Sequence, residues 1–278
     1  MTTVPQQQTP PPSLSLARLS KRIFTAILFF AASIYPLWLV ALLACTAFYP
    51  REATLLDPWS DPAIRYSAGL SLGSSVVSGI ISLILAVPSG YVLSRYRFPG
   101  WRVLDILLYL PIVLPGLVVG VGLLILFRTP PGRLIETYMV EFTFSVPGVV
   151  LAQTVVASAF AVRIVKMAFD AASRRRAGIA RTLGASRWQA FWHIEFAEAR
   201  GGLVEAFVLA WAVSLGAFGP IILFCGTMRG RTEVLSTSIF LEFSIGNLDR
   251  ALILSVWMAL MAAAVLLITR GWGKRPLW

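Results

Sequence analysis

Apolar residues in this chain come in long unbroken runs separated by short polar stretches. Six runs stand out, at about 23–48, 67–93, 103–127, 147–169, 202–225 and 251–269. A bilayer core takes about 20 apolar residues at a rise of about 1.5 Å each, and each run is long enough. The first is too long for a secretory signal and no small-residue cleavage site follows it, so it reads as a span of the mature protein. The sequence thus predicts an all-α, polytopic membrane protein of six transmembrane helices.

The polar stretches set the remaining layout. Residues 1–20 open with a Pro- and Gln-rich lead, "MTTVPQQQTPPPSLS", which cannot bury enough surface to fold and reads as disordered. Residues 21–66 hold the first span and a loop with three prolines and three acids. Residues 94–102 make a tight turn broken at Pro99-Gly100. Residues 128–146 form a loop with room for a short helix, and 226–250 a partly apolar segment suited to a re-entrant or interfacial helix. A long basic loop covers about 170–200, and residues 271–278 are a short tail.

Charge then fixes the orientation. Hydrophobic residues make up 57% of the chain and charged residues 13%, about half the charge of a soluble domain. The formal net charge of +11 invites a nucleic-acid reading, but position argues against it. With both termini in the cytoplasm, only Arg51, Arg65, Arg128, Arg133, Arg229, Arg231 and Arg250 of the 24 basic residues fall outside. That asymmetry is the positive-inside rule, so the excess reports topology and no nucleic-acid partner is expected. Cys45 and Cys225 read as apolar-segment cysteines, with a disulfide open in principle.

Several reaction classes are excluded. No GxxxxGK[ST] loop is present to cradle a nucleotide. One histidine and two cysteines give no zinc, haem or other metal site. His193 sits in the basic loop, away from any membrane-embedded serine, which argues against an intramembrane protease. Asp105, Arg163, Lys166 and Glu205 lie within about two turns of a cytoplasmic end, so no ionisable residue marks a midplane proton or sodium path. The chain is not expected to be an enzyme or to bind a cofactor, and the energy for any transport must come from outside it.

Helix-loosening residues crowd spans two and three. Pro111 and Pro115 lie one turn apart, followed by Gly116 and Gly120, and Gly219 falls in span five. These five are the passage or gate candidates, because prolines free carbonyls and small residues let helices approach closely. Plain packing notches are the alternative reading of the same residues.

The basic loop has internal structure. A first helix at about 167–182 should end at Gly184, suited to the left-handed position after a helix. Ser186 then caps a second, with Gln189 completing a capping box. Trp188, Phe191, Trp192 and Phe196 recur at helical spacing as one aromatic stripe. Helix, glycine break and capped helix make a rigid knuckle, either an ordinary amphipathic surface loop or a docking surface for a soluble motor.

Residues 178–197 resemble the cytoplasmic loop of permease subunits of type I ATP-binding-cassette (ABC) importers. That pattern is Glu-Ala-Ala, three residues, Gly, nine residues, Ile, one residue, Leu-Pro; Ala180, Gly184 and Ile194 match it. Gly178 replaces the Glu, Ile179 an Ala, and Phe196-Ala197 the Leu-Pro. The stretches "RYRFPGWRVLDILLYLPIVLPGLVVGVGLL", "VLAQTVVASAFAVR" and "WAVSLGAFGPIILFCGTMRGRTEVLSTSIF" are similar to molybdate, tungstate and sulfate permeases.

The resemblance implies the type I (MetI-like) permease fold over 67–270, in a prokaryotic inner membrane. It implies coupling to an ATPase through Ala180, Arg181, Leu183, Gly184, Ala185, Ser186, Trp188 and Ile194. Two ABC ATPase subunits that use ATP and magnesium, a second permease copy (identical, or a paralogue) and an extracytoplasmic substrate-binding protein are the implied partners. Molybdate or tungstate is the implied cargo, with sulfate next; iron(III), thiamine and a secondary carrier are the alternatives. Arg229 and Arg231 are candidates for touching the anion or the binding protein on the outer side.

Overall fold

A computed structural model of the chain describes residues 14–49 and 60–273. The Pro- and Gln-rich lead up to residue 13, the loop at 50–59 and the tail from 274 lie outside the described residues. Every regular element among the described residues is helical. Residues 1–50 and 51–278 form two separate units. The first is helix α1 (Leu14–Phe48), which carries Pro36 and whose Arg22–Phe48 portion is apolar and long enough to cross a membrane.

The second unit starts with α2 (Pro62–Arg95), capped by Asp61, whose carboxylate accepts from the Ala63 N–H at 2.9 Å. α3 (Trp101–Val113) and α4 (Gly116–Arg128) follow, then α5 (Pro130–Tyr138) and α6 (Val146–Ala171). α7 (Arg174–Thr182) and α8 (Arg187–Ala190) form the basic loop. A π turn (Phe191–Glu195) joins α8 to α9 (Phe196–Leu215), and α10 (Gly219–Phe224), α11 (Leu235–Ser244) and α12 (Leu248–Gly273) complete the unit.

The six predicted spans are realised unevenly. Arg22–Phe48, Pro62–Arg95, Val146–Ala171 and Leu248–Leu267 are each long and apolar enough to cross a membrane. The run at 103–127 is not one straight helix: α3 and α4 meet at 114°. Pro115 sits at the N-cap of α4 with extended ψ, as an imino residue favours, and Pro111 lies within α3. The run at 202–225 is also broken. α9 ends at Leu215, and α10 restarts at Gly219-Pro220. The Ser236 hydroxyl donates to the Ala217 carbonyl at 2.7 Å, which satisfies backbone freed by the break. α9 also begins in charged sequence, with Glu198, Arg200 and Glu205, and so falls short of a plain apolar span.

Three buried clusters hold the second unit together. One packs α2, α6 and α9 around Leu93, Val165 and Phe169, floored by alanines such as Ala86, Ala161 and Ala206. Another packs α4, α6 and α10 around Phe127, Val149, Ile221 and Phe224. A third joins α2, α11 and α12 through Ile64, Leu235 and Leu254.

The serine-rich stretch of α2 packs against neighbouring helices. α2 is one continuous helix, and Ser67, Ser71, Ser74, Ser75, Ser78 and Ser82 are all buried. Ser78 donates to the Val150 carbonyl and bonds Gln153, Trp211 donates to Ser75, and the Leu235 N–H donates to Ser71. Small polar residues here act as interhelical hydrogen-bonding contacts. Both cysteines are free, and Cys225 is buried.

Candidate functional site

The basic loop folds as a knuckle whose ends are tied down. Its first helix is shorter than the sequence suggests: α6 runs to Ala171, Ala172 is extended, and α7 starts only at Arg174. Ser173 caps α7, its hydroxyl 3.5 Å from the Arg176 N–H. At the other end Gly184 has φ +97°. The Ala185 N–H donates to the Ala180 carbonyl at 3.0 Å and the Gly184 N–H to that of Arg181 at 3.1 Å. These two bonds are a Schellman ending, and a Cβ at Gly184 would strain it. The Ser186 capping box forms in full: Oγ accepts from the Gln189 N–H at 3.2 Å and the Ser186 N–H donates to Gln189 Oε1 at 2.9 Å.

The two helices thus turn about a fixed elbow and present apolar side chains outward. Leu183 is 83% exposed and Trp188 70% exposed. Ile179 is also exposed, and Ala180 and Ala185 are half-buried beneath. Of the coupling candidates, Ala180, Arg181, Leu183, Gly184, Ala185, Ser186 and Trp188 come together on this elbow. Ile194 does not: it lies in the π turn and lines a separate cleft of about 790 Å³ with Ala168, Ala172 and Ala197.

The aromatic stripe is divided between surface and core. Phe191 packs edge-on against Tyr91 at 4.8 Å between ring centres and lies near Phe169, while Trp192 contacts Phe196 at 4.7 Å. One face of the stripe therefore anchors the knuckle to α2 and α6, and Trp188 stays outside.

Charged groups complete the anchoring. Arg95, the last residue of α2, meets Glu195 of the π turn at 2.9 Å, with side chains only 7% and 9% exposed. The Tyr91 hydroxyl donates to the same carboxylate at 2.8 Å, and Arg95 donates to the Ala172 carbonyl at 3.1 Å. Glu198 of α9 accepts from the Ser173 N–H at 2.8 Å and pairs with Arg176 at 2.9 Å. Arg174 donates to the Ser94 carbonyl. Both ends of the knuckle are thus bonded to α2 and α9. The charge pattern along the chain singles out none of Tyr91, Arg95, Ser173, Glu195 and Glu198 as a tether, since the bonded partners lie 22 to 104 residues apart. Only Ser173, an N-cap residue before three arginines, carries a local signal.

The gate candidates also converge, with one exception. α4 crosses α10 so closely that a Cβ on Gly120 would sit 2.9 Å from the Pro220 carbonyl oxygen. A Cβ on Gly116 would meet Pro220 Cδ at 2.9 Å, and one on Gly219 the Leu117 nitrogen at 2.8 Å. Pro115 opens α4 beside this crossing; Pro111 stands apart in α3. Pro220, on which Gly116 and Gly120 both close, is an unforeseen member.

The outer arginine candidates differ from each other. Arg229 pairs with Glu242, which is buried and also accepts from Asn247 Nδ2 at 3.0 Å. Its charge is therefore largely compensated, which counts against a free anion contact. Arg231 is exposed and forms no ion pair among the described residues. Nearby Glu233 is 2% exposed, and burial raises its pKa above the ordinary carboxylate value. No cluster of metal-ligating side chains occurs among the described residues.

Residues 80–274 match the family described as binding-protein-dependent transport system inner membrane component. The molybdenum transport system permease protein ModB of Mycobacterium tuberculosis is 34% identical over 221 residues, covering 79% of this chain and 82% of that protein. The sulfate transport system permease protein CysT of Escherichia coli is 30% identical over 211 residues, covering 75% and 76%. A crystal structure of a bacterial ABC transporter involved in import of the acidic polysaccharide alginate superposes with TM-score 0.72 over 94% of this chain and all of that one, at 15% identity, a likeness of fold.

Proposed function

The chain belongs to the family of binding-protein-dependent inner membrane transport components, and from that premise we propose that it carries a tetrahedral oxyanion across the membrane under power from a separate ATPase. As a member it is a multi-pass permease of an ABC importer. Molybdate or tungstate is the first choice of cargo and sulfate the next. The names of the molybdenum and sulfate permeases it resembles support this set of cargoes, and the two metal oxyanions share shape and charge.

The observation that carries the coupling role is the tethered elbow. Leu183 and Trp188 project from a turn fixed by a Schellman ending and a capping box. Exposed apolar side chains on a rigid support are what a partner surface needs. The tethers behind them run through Glu195 and Glu198 into α2 and α9. In this reading Ala180, Arg181, Leu183, Gly184, Ala185, Ser186 and Trp188 meet the ATPase, and Ile194 supports them from behind.

Two permeases, identical or paralogous, share one passage above two ATPase subunits, and a substrate-binding protein delivers the anion on the far side. The knuckle end and both termini face the cytoplasm. ATP with magnesium is bound by the partner, and this chain holds no cofactor. Closure of the ATPases draws the elbows together, the tethers pull α2 and α9, and the α4–α10 crossing at Gly116, Gly120 and Gly219 changes its opening.

The test is uptake into proteoliposomes holding the permease and its ATPase, with the binding protein supplied. ATP-dependent accumulation of labelled molybdate, tungstate or sulfate is expected. Accumulation driven by an ion gradient without ATPase would point to a secondary carrier, and movement of iron(III) or thiamine alone would overturn the oxyanion choice.

A further inference from the structure

Between α3 and α6, at the knuckle end, lies a cleft that the coupling machinery does not use. Arg163, Lys166, Met167 and Asp170 fall at i, i+3, i+4 and i+7 on α6 and so share one stripe. They enclose about 390 Å³ against Tyr109, Ile112 and Val113 of α3.

Most of the charge there is already matched. Lys166 Nζ bridges to Asp105 Oδ1 at 2.9 Å, over the Tyr109 ring. Asp170 accepts from the Ser94 hydroxyl at 2.6 Å. Arg163 is exposed and makes no ion pair or hydrogen bond among the described residues. It stands eight residues, about 12 Å, before the end of α6 at Ala171.

A guanidinium within about two turns of a helix end reaches out of the hydrocarbon, where it faces water, a partner or a transported ion. The α3 surface distributes accordingly. Val103, Ile106, Leu107 and Leu110 are exposed on one face of α3, suited to lipid or an apolar neighbour. Asp105, Tyr109 and Ile112 lie on the opposite face, toward the Arg163 stripe.

We propose that Arg163 is a contact for the translocating oxyanion in this cleft, with the Lys166 ammonium and the Tyr109 hydroxyl as flanking donors. The guanidinium fork matches two oxygens of a tetrahedral dianion. The space is far larger than one such ion, since a water occupies about 30 Å³, so the ion stays partly hydrated and is held loosely. A station on a passage needs that: attraction enough to admit the ion, too little to keep it. Ligand capture belongs to the binding protein and is untouched by this site. The inference rests on the oxyanion reading given above.

The test uses the assembled transporter in proteoliposomes, with permease, ATPase and binding protein, and labelled molybdate as probe. Wild type, Arg163→Gln and Arg163→Lys are compared for initial uptake and for ATP turnover stimulated by the loaded binding protein. Arg163→Gln should cut uptake about tenfold, the scale of one hydrogen bond to a charged group. Stimulated ATP turnover should stay within about twofold of wild type, a separation a merely structural defect would not give. Arg163→Lys, which keeps the charge and loses the fork, should fall between.

Unchanged molybdate uptake by Arg163→Gln, with wild type active, overturns this inference alone. A wild type that moves no oxyanion but accumulates another solute overturns the oxyanion reading and this inference together. Should Arg163→Gln fail to assemble, Arg163→Lys decides, and a wild-type uptake rate in it counts against the proposal.

Discussion

Arg95 and Glu195 form an ion pair at 2.9 Å, almost fully buried, between the last residue of α2 and the π turn that follows the elbow. Tyr91 donates to the same carboxylate, and Arg95 also reaches the Ala172 carbonyl just before α7. One pair thus holds both the entry and the exit of the knuckle to α2.

Removal of one partner leaves a buried charge uncompensated, which costs about 3–5 kcal/mol. Glu195→Ala and Arg95→Ala should therefore each lower the unfolding temperature of the purified protein by several degrees. Glu195→Gln, which still accepts from Tyr91, should lose less. The apolar double change Arg95→Met with Glu195→Leu should be better tolerated than either alanine variant. Thermal unfolding in one detergent, compared across the four, checks the order.

Gly184 has φ +97°, where an L side chain costs about 1–2 kcal/mol. Nothing lies within 4 Å of a Cβ built there, so the penalty is conformational and not steric. Gly184→Ala should weaken ATPase association and uptake by about tenfold. Gly184→Asn, which tolerates the left-handed region, should lose much less. Co-purification of the ATPase with each variant reads this directly, and equal losses for Ala and Asn would contradict it.

The knuckle is legible in the sequence because its signals are local: Gly184, Ser186 and Gln189 lie within six residues of one another. The α3–α4 bend is legible in kind through Pro111 and Pro115, but their spacing carries no information on a 114° angle. The break between α9 and α10 escapes the hydropathy pattern although Gly216, Gly219 and Pro220 mark it, because an apolar run hides a helix end when lipid and core want the same residues. The late start of α7 is hidden because two alanines before Ser173 suit a helix. The π turn has no local signature in "FWHIE". Arg95–Glu195 and Arg229–Glu242 are illegible for another reason: counting charges by segment places arginines on a side of the membrane and says nothing about their partners.

Two glycines two residues apart on α4 give a controlled comparison. A Cβ on Gly120 would meet the Pro220 carbonyl oxygen at 2.9 Å, a backbone atom that cannot step aside, whereas Gly122 has nothing within 4 Å. Alanine is intrinsically better in a helix by about 1 kcal/mol. Gly122→Ala should therefore be neutral or stabilising, and Gly120→Ala should be destabilising and slow transport severalfold. Paired unfolding and uptake measurements distinguish a tight crossing from a tolerant one.

Glu233 makes a prediction about pH. Burial raises its carboxyl pKa, with Glu242 and Asp61 adding to the rise and Ser238 and Arg229 opposing it. A folded-state value above the unfolded one means that the fold favours the protonated acid more than the unfolded chain does. Its contribution is fully present below the ordinary carboxylate pKa and is lost as pH climbs through the raised value. Glu233→Gln, permanently neutral, should flatten that part of the stability profile and be the more stable protein on its alkaline side. Unfolding temperature against pH for the two proteins checks the sign.

The central claim is that the exposed face of the elbow is where an ATPase takes hold. Leu183 and Trp188 are 83% and 70% exposed, so Leu183→Asp with Trp188→Asp should leave the unfolding temperature of the isolated permease unchanged within a degree or two. The deciding measurement is the affinity of the ATPase for detergent-purified permease, wild type against this double variant. A loss of at least about tenfold, the scale of one buried apolar anchor, is expected. Equal affinity in the two proteins would place the motor somewhere other than the elbow.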